Sequence, residues 1–284
     1  MVVTGGSGKL GRAVVRDLLD HGWEVVVLDS QGGADDRAQT LRIDLTEYGQ
    51  VLGALTAVDD SYAGVDAVVH LAAIPAPGLA PNAATFANNV LATYHVFEAA
   101  RVAQVRNVVW ASSETVLGLP FTQQVPPYLP VDEDYRAVPM TSYSLGKAVD
   151  EELAHHFCRW DPATKIVGLR FSNVMEPHDY AGFDAFQDDP MHRAWNAWGY
   201  IDARDGAQAV RKALELDATG FDVFIVANAD TVMRRESADL LAEVFPDVAL
   251  RRPVAGRETL LSIDKARRVL GYAPQHSWLD QPSG

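Results

Sequence analysis

Short runs of apolar, mostly β-branched residues alternate along this chain with longer stretches in which apolar positions recur every three or four residues. "MVV" precedes such a stretch over residues 9–21, "EVVVLD" and "RID" precede one over residues 47–57, and "DAVVHLA" precedes one over residues 83–104. "NVVWAS", a stretch starting near Ser142, and "KIVGLRF" continue the alternation. The short runs suit strands and the long stretches suit amphipathic helices. Strands that are apolar on both faces must be covered on both faces, so the repeat predicts an α/β fold with a doubly wound parallel sheet. From about Asn173 the rhythm loosens into "NVMEPHDYAGFDAFQDDPMHRAWNAWGY", which carries Pro and aromatic residues without clear periodicity. It then resumes with a helix over residues 203–216, the strand "DVFIVAN", and helices over residues 236–245 and 263–270. One domain is therefore expected over residues 1–172, with returning elements at about residues 200–227. Residues 173–199 and 228–284 are expected to form a small C-terminal substrate lobe.

The chain's 284 residues, 48% of them hydrophobic, can bury a substantial core. A formal charge of -14 opposes binding to phosphate backbones, so nucleic acid is not an expected partner. No apolar run reaches membrane-spanning length, and no charged leader with an apolar run precedes the first strand, so a soluble cytoplasmic protein with no membrane partner is expected. Cys158 is the only cysteine, which excludes an intramolecular disulfide and any Cys-rich zinc site. His155 and His156 are adjacent on a helix and point apart. No metal site is expected.

The opening "GGSGKLG" admits two readings. A triphosphate-binding loop requires a first Gly at position 3 and a hydroxyl at position 10, and the chain has Val3 and Leu10 there. Gly5, Gly8 and Gly11 instead follow a strand and open a helix, where backbone amides can face a pyrophosphate without Cβ obstruction. This is a dinucleotide turn of the Rossmann type. Asp29 ends the second strand about 20 residues on, where a carboxylate accepts from ribose hydroxyls and repels a 2'-phosphate. NAD is thus expected in preference to NADP. Further on, "TSYSLGKAVDEELAHHF" places Tyr143 and Lys147 four residues apart on one helix face. A neighbouring ammonium favours the phenolate, so Lys147 is expected to lower the pKa of Tyr143 and make it a proton acceptor.

With these residues in view the chain resembles the extended short-chain dehydrogenases/reductases, the NAD-dependent epimerases and dehydratases. The resemblance rests on "TGGSGKLG", "IDL", "HLAA", "NNVLAT", "ASSETVLG", "YSLGK", "RFSNVMEP", "YIDARD" and "IDKARRVLGYAP", in order over nearly the whole chain. It implies that Asp44 and Leu45 border the adenine, that Leu71, Ala72 and Ala73 line the cofactor cleft, and that Asn89 steadies the central helix. Ser113 is implied as the third catalytic residue beside Tyr143 and Lys147. The expected cofactor shell also takes in Ser7, Lys9 and Leu10 of the turn, Ser30 after Asp29, and Phe171, along with Tyr143 and Lys147.

Sugar dehydratases of this family carry an Asp-Glu pair where this chain has Glu114 and Thr115, so water elimination is disfavoured. Only residues 175–199 separate "SNV" from "YIDARD", a short lobe similar to that of the uronate dehydrogenases, although those enzymes have Asn-His where this chain has Glu114-Thr115. Glu176, Asp179, Asp184, Asp188 and Asp189 make the segment acidic. The substrate is expected to be a small, sugar-like alcohol without a nucleotide, met by Ser113, Glu114, Asn173, Arg193 and Trp198. An NAD-dependent dehydrogenase is the first reading; an epimerase that retains its cofactor and a non-catalytic NAD(H)-binding protein are the alternatives. The family likeness further implies a homodimer through a four-helix contact.

Overall fold

The computed structural model describes residues 1–33, 35–57 and 62–280. In chain order the elements are β1 (Val2–Thr4), α1 (Lys9–Asp20), β2 (Val26–Asp29), β3 (Gln39–Arg42), α2 (Tyr48–Leu55), β4 (Ala67–His70), α3 (Asn82–Val102), β5 (Asn107–Ser113) and β6 (Tyr128–Leu129). There follow α4 (Ser142–Trp160), β7 (Lys165–Phe171), β8 (Val174–Met175), β9 (Ile201–Asp202), α5 (Ala203–Glu215), β10 (Gly220–Val226), α6 (Ser237–Val244), β11 (Ala249–Leu250) and α7 (Asp264–Leu270). Seven strands form one parallel sheet in the order β10-β7-β5-β4-β1-β2-β3. This is the doubly wound Rossmann-type arrangement.

Period-two alternation explains why the strands read as continuous apolar runs. Val2, Val68, Val108 and Ile166 join a core with Val51 of α2, Val96 and Phe97 of α3 and Phe157 of α4. Their chain neighbours Val3, Val69, Val109 and Val167 join a second core with Val14, Val15 and Leu18 of α1 and Val210 and Ala213 of α5. Each strand thus buries both faces, and the helices divide between the two sides of the sheet. One strand departs from expectation. β3 is Gln39–Arg42, earlier than the expected "RID", because Leu28 pairs with Leu41 and Asp29 with Arg42, which leaves Ile43 and Asp44 beyond the ladder.

The lobe packs at the carboxyl ends of the strands. β8 pairs with β9, and β6 pairs with β11. Residues 177–196 form three short 3-10 turns, Pro177–Phe186, Pro190–His192 and Ala194–Asn196. Tyr180, Phe183, Tyr200 and Trp278 pack edge to face at their centre. The segment between β5 and α4 also contributes: Val131 bridges to Leu261, and the Phe121 amide donates to the Trp195 carbonyl at 2.8 Å. The expected domain boundaries left this segment with the sheet. Among the described residues no helix is long and apolar enough to cross a membrane.

Candidate active site

The chain passes from β1 outward to β2 and β3, then returns to place β4 on the other side of β1. The loops after β1 and β4 therefore diverge and leave a crevice between them, the position where open α/β sheets hold ligands. The glycine turn follows β1, and Leu71, Ala72 and Ala73 follow β4. Gly5 has φ +71, and a Cβ there would lie 2.6 Å from the Ala72 amide nitrogen. A Cβ on Gly11 would lie 2.1 Å from the Gly5 carbonyl oxygen. Packing alone thus demands these two glycines. Gly8 is different, since the chain atom nearest to its would-be Cβ is 3.4 Å away. It caps α1 without any side-chain hydrogen bond, so the helix offers bare amides to an anion. A dinucleotide pyrophosphate fits that donor set.

Asp29, at the end of β2, accepts from the Ser7 amide through Oδ2 and the Gln31 amide through Oδ1, each at 3.0 Å. These bonds hold the carboxylate against the glycine turn and leave it further acceptor capacity for ribose hydroxyls. Ser30 is exposed beside it, and Leu10 is half-buried. Lys9 pairs with Asp179 at 2.6 Å, and Arg12 pairs with Glu176 at 2.8 Å, so two carboxylates of the acidic lobe segment are tied to the first turn of α1. Glu176, His178 and Asp179 lie within reach of one another. The two ion pairs account for that grouping. Asp44 lies exposed after β3 and accepts from the Thr46 amide and hydroxyl at 2.8 and 2.7 Å, with Leu45 half-buried next to it. Asn89 does more than steady its own helix. Its Oδ1 accepts from the Ile74 amide at 2.8 Å and its Nδ2 donates to the Ile74 carbonyl at 3.0 Å, which fixes the loop after β4 to α3.

At the carboxyl end of β5, Ser113 starts a 3-10 turn, its Oγ accepting from the Thr115 amide at 3.2 Å. Tyr143 enters from the first turn of α4. A capping box sets that turn: Thr141 Oγ1 accepts from the Ser144 amide at 3.1 Å, and Ser144 Oγ accepts from the Thr141 amide at 2.9 Å. Lys147, one turn on, donates to the Ala111 carbonyl of β5 at 2.6 Å and stands 5.0 Å from the Trp110 ring centroid. Ser113, Tyr143 and Lys147 are thus brought together, and all three are buried.

Their electrostatics overturn one expectation. Burial pushes the Tyr143 phenol up to about 12; the Ser113 hydroxyl opposes this, while the charges of Glu114 and Asp150 add to it. Lys147 does not lower it as the spacing suggested. Its Nζ is 6.0 Å from the Tyr143 ring centroid and is committed to Ala111, so its charge fails to offset desolvation.

The expected substrate residues divide. Glu114 is buried, accepting from the Ser172 hydroxyl at 2.5 Å and from Asn196 Nδ2 at 3.1 Å. Burial pushes its carboxyl up to about 7, against these two hydrogen bonds and the charge of Arg193. Arg193 is also buried, donating to the Gly199 carbonyl at 2.8 Å and stacking on Phe186 and Trp195. Its Nε and the Oδ1 of Asn196 have no partner. Asn173 is half-buried. Trp198 belongs to the core, not to a substrate wall: it is fully buried, donates through Nε1 to the Pro190 carbonyl at 2.8 Å, and packs on Phe245. Phe171 is likewise buried, under Gly206. Ser172 and Asn196 escaped the sequence reading, because hydrogen bonding to Glu114 across 58 and 82 residues leaves no local pattern. A cleft of about 540 Å³ opens at the opposite, amino ends of the strands, beside Asp66, Asn107 and Asp217. None of the expected site residues lines it, and its Lys165 is spent on the carbonyls of Ala213, Leu214 and Leu216 at the end of α5.

Comparison with known proteins agrees with this geometry. The UDP-glucose 4-epimerase of Bacillus subtilis is 30% identical over 187 residues, 63% of this chain and 53% of that protein. The chain thus matches about half the length of that relative. A crystal structure of UDP-galactose 4-epimerase is 29% identical with a TM-score of 0.70, over 97% of this chain and 93% of that one. An Agrobacterium tumefaciens short-chain dehydrogenase/reductase superfamily protein, solved with bound NAD, shares the fold with a TM-score of 0.73 at 24% identity, over 98% of this chain and 93% of that one. The model of the NAD dependent epimerase/dehydratase family matches residues 1–227, and with the glycine turn, Asp29 and the gathered Ser113, Tyr143 and Lys147 this places the chain in that family.

Proposed function

We propose that this protein is an NAD-dependent oxidoreductase acting on a hydroxyl of a small, sugar-like alcohol. The observation that carries the reading is the convergence of Ser113, Tyr143 and Lys147 beside the crevice between β1 and β4. NAD, when bound, accepts or returns the hydride. Ser113 hydrogen-bonds the reacting oxygen, and Tyr143 takes the hydroxyl proton or gives it back. A phenol held near 12 stays protonated at neutral pH and so carries the proton that a carbonyl would take; in the oxidising direction the charge of Lys147 favours the phenolate without outweighing the desolvation that opposes it. Gly8 and the amides opening α1 hold the pyrophosphate, Asp29 the ribose, and Leu71 to Ala73 the wall of the cleft.

Overall length does not separate a small substrate from a nucleotide sugar, since the solved UDP-galactose 4-epimerase is covered over 93% of its chain. What favours a small one is the filling of the lobe. The aromatic side chains of residues 177–198 are largely packed inside it, and Arg193 is buried. A second reading, epimerisation with retained cofactor, is favoured by the curated relatives, several of which are UDP-glucose 4-epimerases. One screen tests both. Free sugars, polyols and sugar acids are offered with NAD and followed at the NADH absorbance, while UDP-sugars are followed for epimer formation. Net NADH from a free sugar, with UDP-sugars inert, is the expected result; micromolar binding of a UDP-sugar that competes with the small substrate would overturn it.

The same reading takes the protein to be cytoplasmic and homodimeric. Leu91 and Tyr94 of α3 and Leu145 and Trp160 of α4 are exposed apolar side chains on the two helices that a four-helix contact would use.

A further inference from the structure

Behind Lys147 lies a row of buried polar groups that the reaction as described does not use. Tyr143, Lys147 and Asp150 stand at i, i+4 and i+7 on α4, one stripe of the helix, and all three are buried. Asp150 is fully enclosed, and its Oδ1 has no hydrogen-bond partner. The Thr93 hydroxyl of α3 lies 3.1 Å from Asp150 Oδ2 and 3.0 Å from the Asn89 carbonyl, both acceptors. His70 Nε2 lies 3.3 Å from Thr93 Oγ1, and His70 Nδ1 lies 2.7 Å from Thr4 Oγ1. Thr4 Oγ1 accepts in turn from the Leu71 and Ala72 amides, each at 3.2 Å.

These contacts have one consistent direction. Thr4 Oγ1 receives two amide protons, so its own proton goes to His70 Nδ1; His70 then carries its proton on Nε2 and donates to Thr93, whose single proton goes to the Asp150 carboxylate, a stronger acceptor than the neutral Asn89 carbonyl. Every donor points toward the Asp150 carboxylate. The row begins at the amides bordering the cofactor crevice and ends beside the reactive lysine. His70 is neutral in it, since burial, helped by the charge of Lys147, pushes its pKa down to about 3.

We propose that Asp150 is a positioning residue for Lys147: the carboxylate, oriented through Thr93, His70 and Thr4, is the counter-charge that keeps the buried lysine an ammonium facing the crevice. The inference rests on the reading of Tyr143 and Lys147 as the reactive pair. A buried ammonium without a counter-charge gives up its proton rather than remain charged. Lys147 has one hydrogen bond, to a neutral carbonyl, and no direct ion pair. Burial pushes its pKa down; Asp150 first, and Glu151 second, push it back. Glu151 is already occupied, pairing with Arg170 at 2.8 Å and accepting from Ser112 at 2.7 Å. The groups facing Lys147 are therefore Asp150, Glu151 and Tyr143 on α4, His70 on β4, and the Trp110 ring and Ala111 carbonyl on β5. Burial pushes the Asp150 carboxyl up in turn, and the charge of Lys147 first, with the Thr93 hydroxyl second, holds it down, so the two buried groups sustain each other's charge; Asp150 alone combines a carboxylate free of any direct ion pair with an oriented support.

The charge of Lys147 can be read without turnover. The chain has five lysines, so in 15N-lysine-labelled protein the side-chain nitrogen of Lys147, identified by its loss in Lys147→Met, can be followed as pH is raised. Asp150→Asn keeps shape and removes charge, and its Lys147 midpoint is expected at least about one pH unit below wild type. Thr93→Val, which removes the last donor to the carboxylate, should move the midpoint in the same direction by less. It carries the test if Asp150→Asn fails to fold. In turnover, the alkaline loss of activity should move to lower pH by the same amount, because the ammonium is lost as pH rises through its midpoint. An unchanged Lys147 midpoint in the folded variants overturns the proposal. Failure of the underlying reading looks different: Tyr143→Phe would then retain activity, whatever the Lys147 midpoint does.

Discussion

Replacing Glu114 by Gln exchanges a buried carboxyl for an amide of nearly the same shape, and its consequence for stability can be worked from the structure. Burial raises the Glu114 carboxyl from 4.5 to about 7. Between these values the folded protein holds a proton that the unfolded chain has released, so stability falls as pH rises from 4.5 to about 7 and is level above that. At about 1.4 kcal/mol per pH unit the accumulated destabilisation is about 3 kcal/mol. Below 4.5 the group is protonated in both states and contributes nothing. The glutamine has no such dependence. Its carbonyl can accept from Ser172, while its amide faces Asn196 Nδ2, which loses that acceptor at a cost that is the same at every pH. Urea unfolding of wild type and Glu114→Gln at half-unit steps from pH 4.5 to 8.5 isolates this group, since the other titrations cancel in the difference. The variant should gain about 3 kcal/mol over wild type between pH 4.5 and 8, most of it below pH 7. Stability curves that stay parallel would show that Glu114 is solvated or paired more closely than its burial implies, and the reasoning would fail.

Tyr143→Phe should keep NAD affinity while losing about 10²- to 10⁴-fold in turnover, because only the proton carrier is deleted; Lys147→Met should lose turnover and weaken NAD as well, and calorimetry beside initial rates separates the two. NAD should bind more tightly than NADP, and Asp29→Ala should raise the NAD dissociation constant about tenfold or more, the worth of a charged hydrogen bond to a ribose hydroxyl. An unchanged ratio of NAD to NADP affinity in that variant would take Asp29 off the ribose. Trp198→Ala should cost about 3–5 kcal/mol of stability, as for other large buried aromatics. At temperatures where the variant stays folded its Michaelis constant should not change, and a selective rise would return Trp198 to the substrate wall.

Much of this protein follows from neighbours along the chain. The alternation of strand and helix, the pairing of glycines with a following helix, the capping of α4 by Thr141 and Ser144, and the i, i+4 placement of Tyr143 and Lys147 are all set within one or two turns of chain. Local sterics and hydrogen bonding therefore fix them, and they are legible before folding is considered. The same stripe carried Asp150 at i+7, and its acidity there was the one readable sign of a charge behind the lysine.

What a group experiences once buried is decided by segments far away in sequence. Glu114 is defined by Ser172 and Asn196; the first turn of α1 is clasped by Glu176 and Asp179, more than 160 residues on. Trp198 is a core residue because Phe245, just after α6, and Pro190 close over it, although its place in an aromatic, acidic segment suggested a ligand wall. The ionisation of Tyr143 shows the difference most directly. Spacing supplies the lysine, but desolvation depends on everything that excludes water from the phenol, and here that outweighs the lysine's charge. Helical periodicity puts two side chains on one face; only the folded protein sets the dielectric between them.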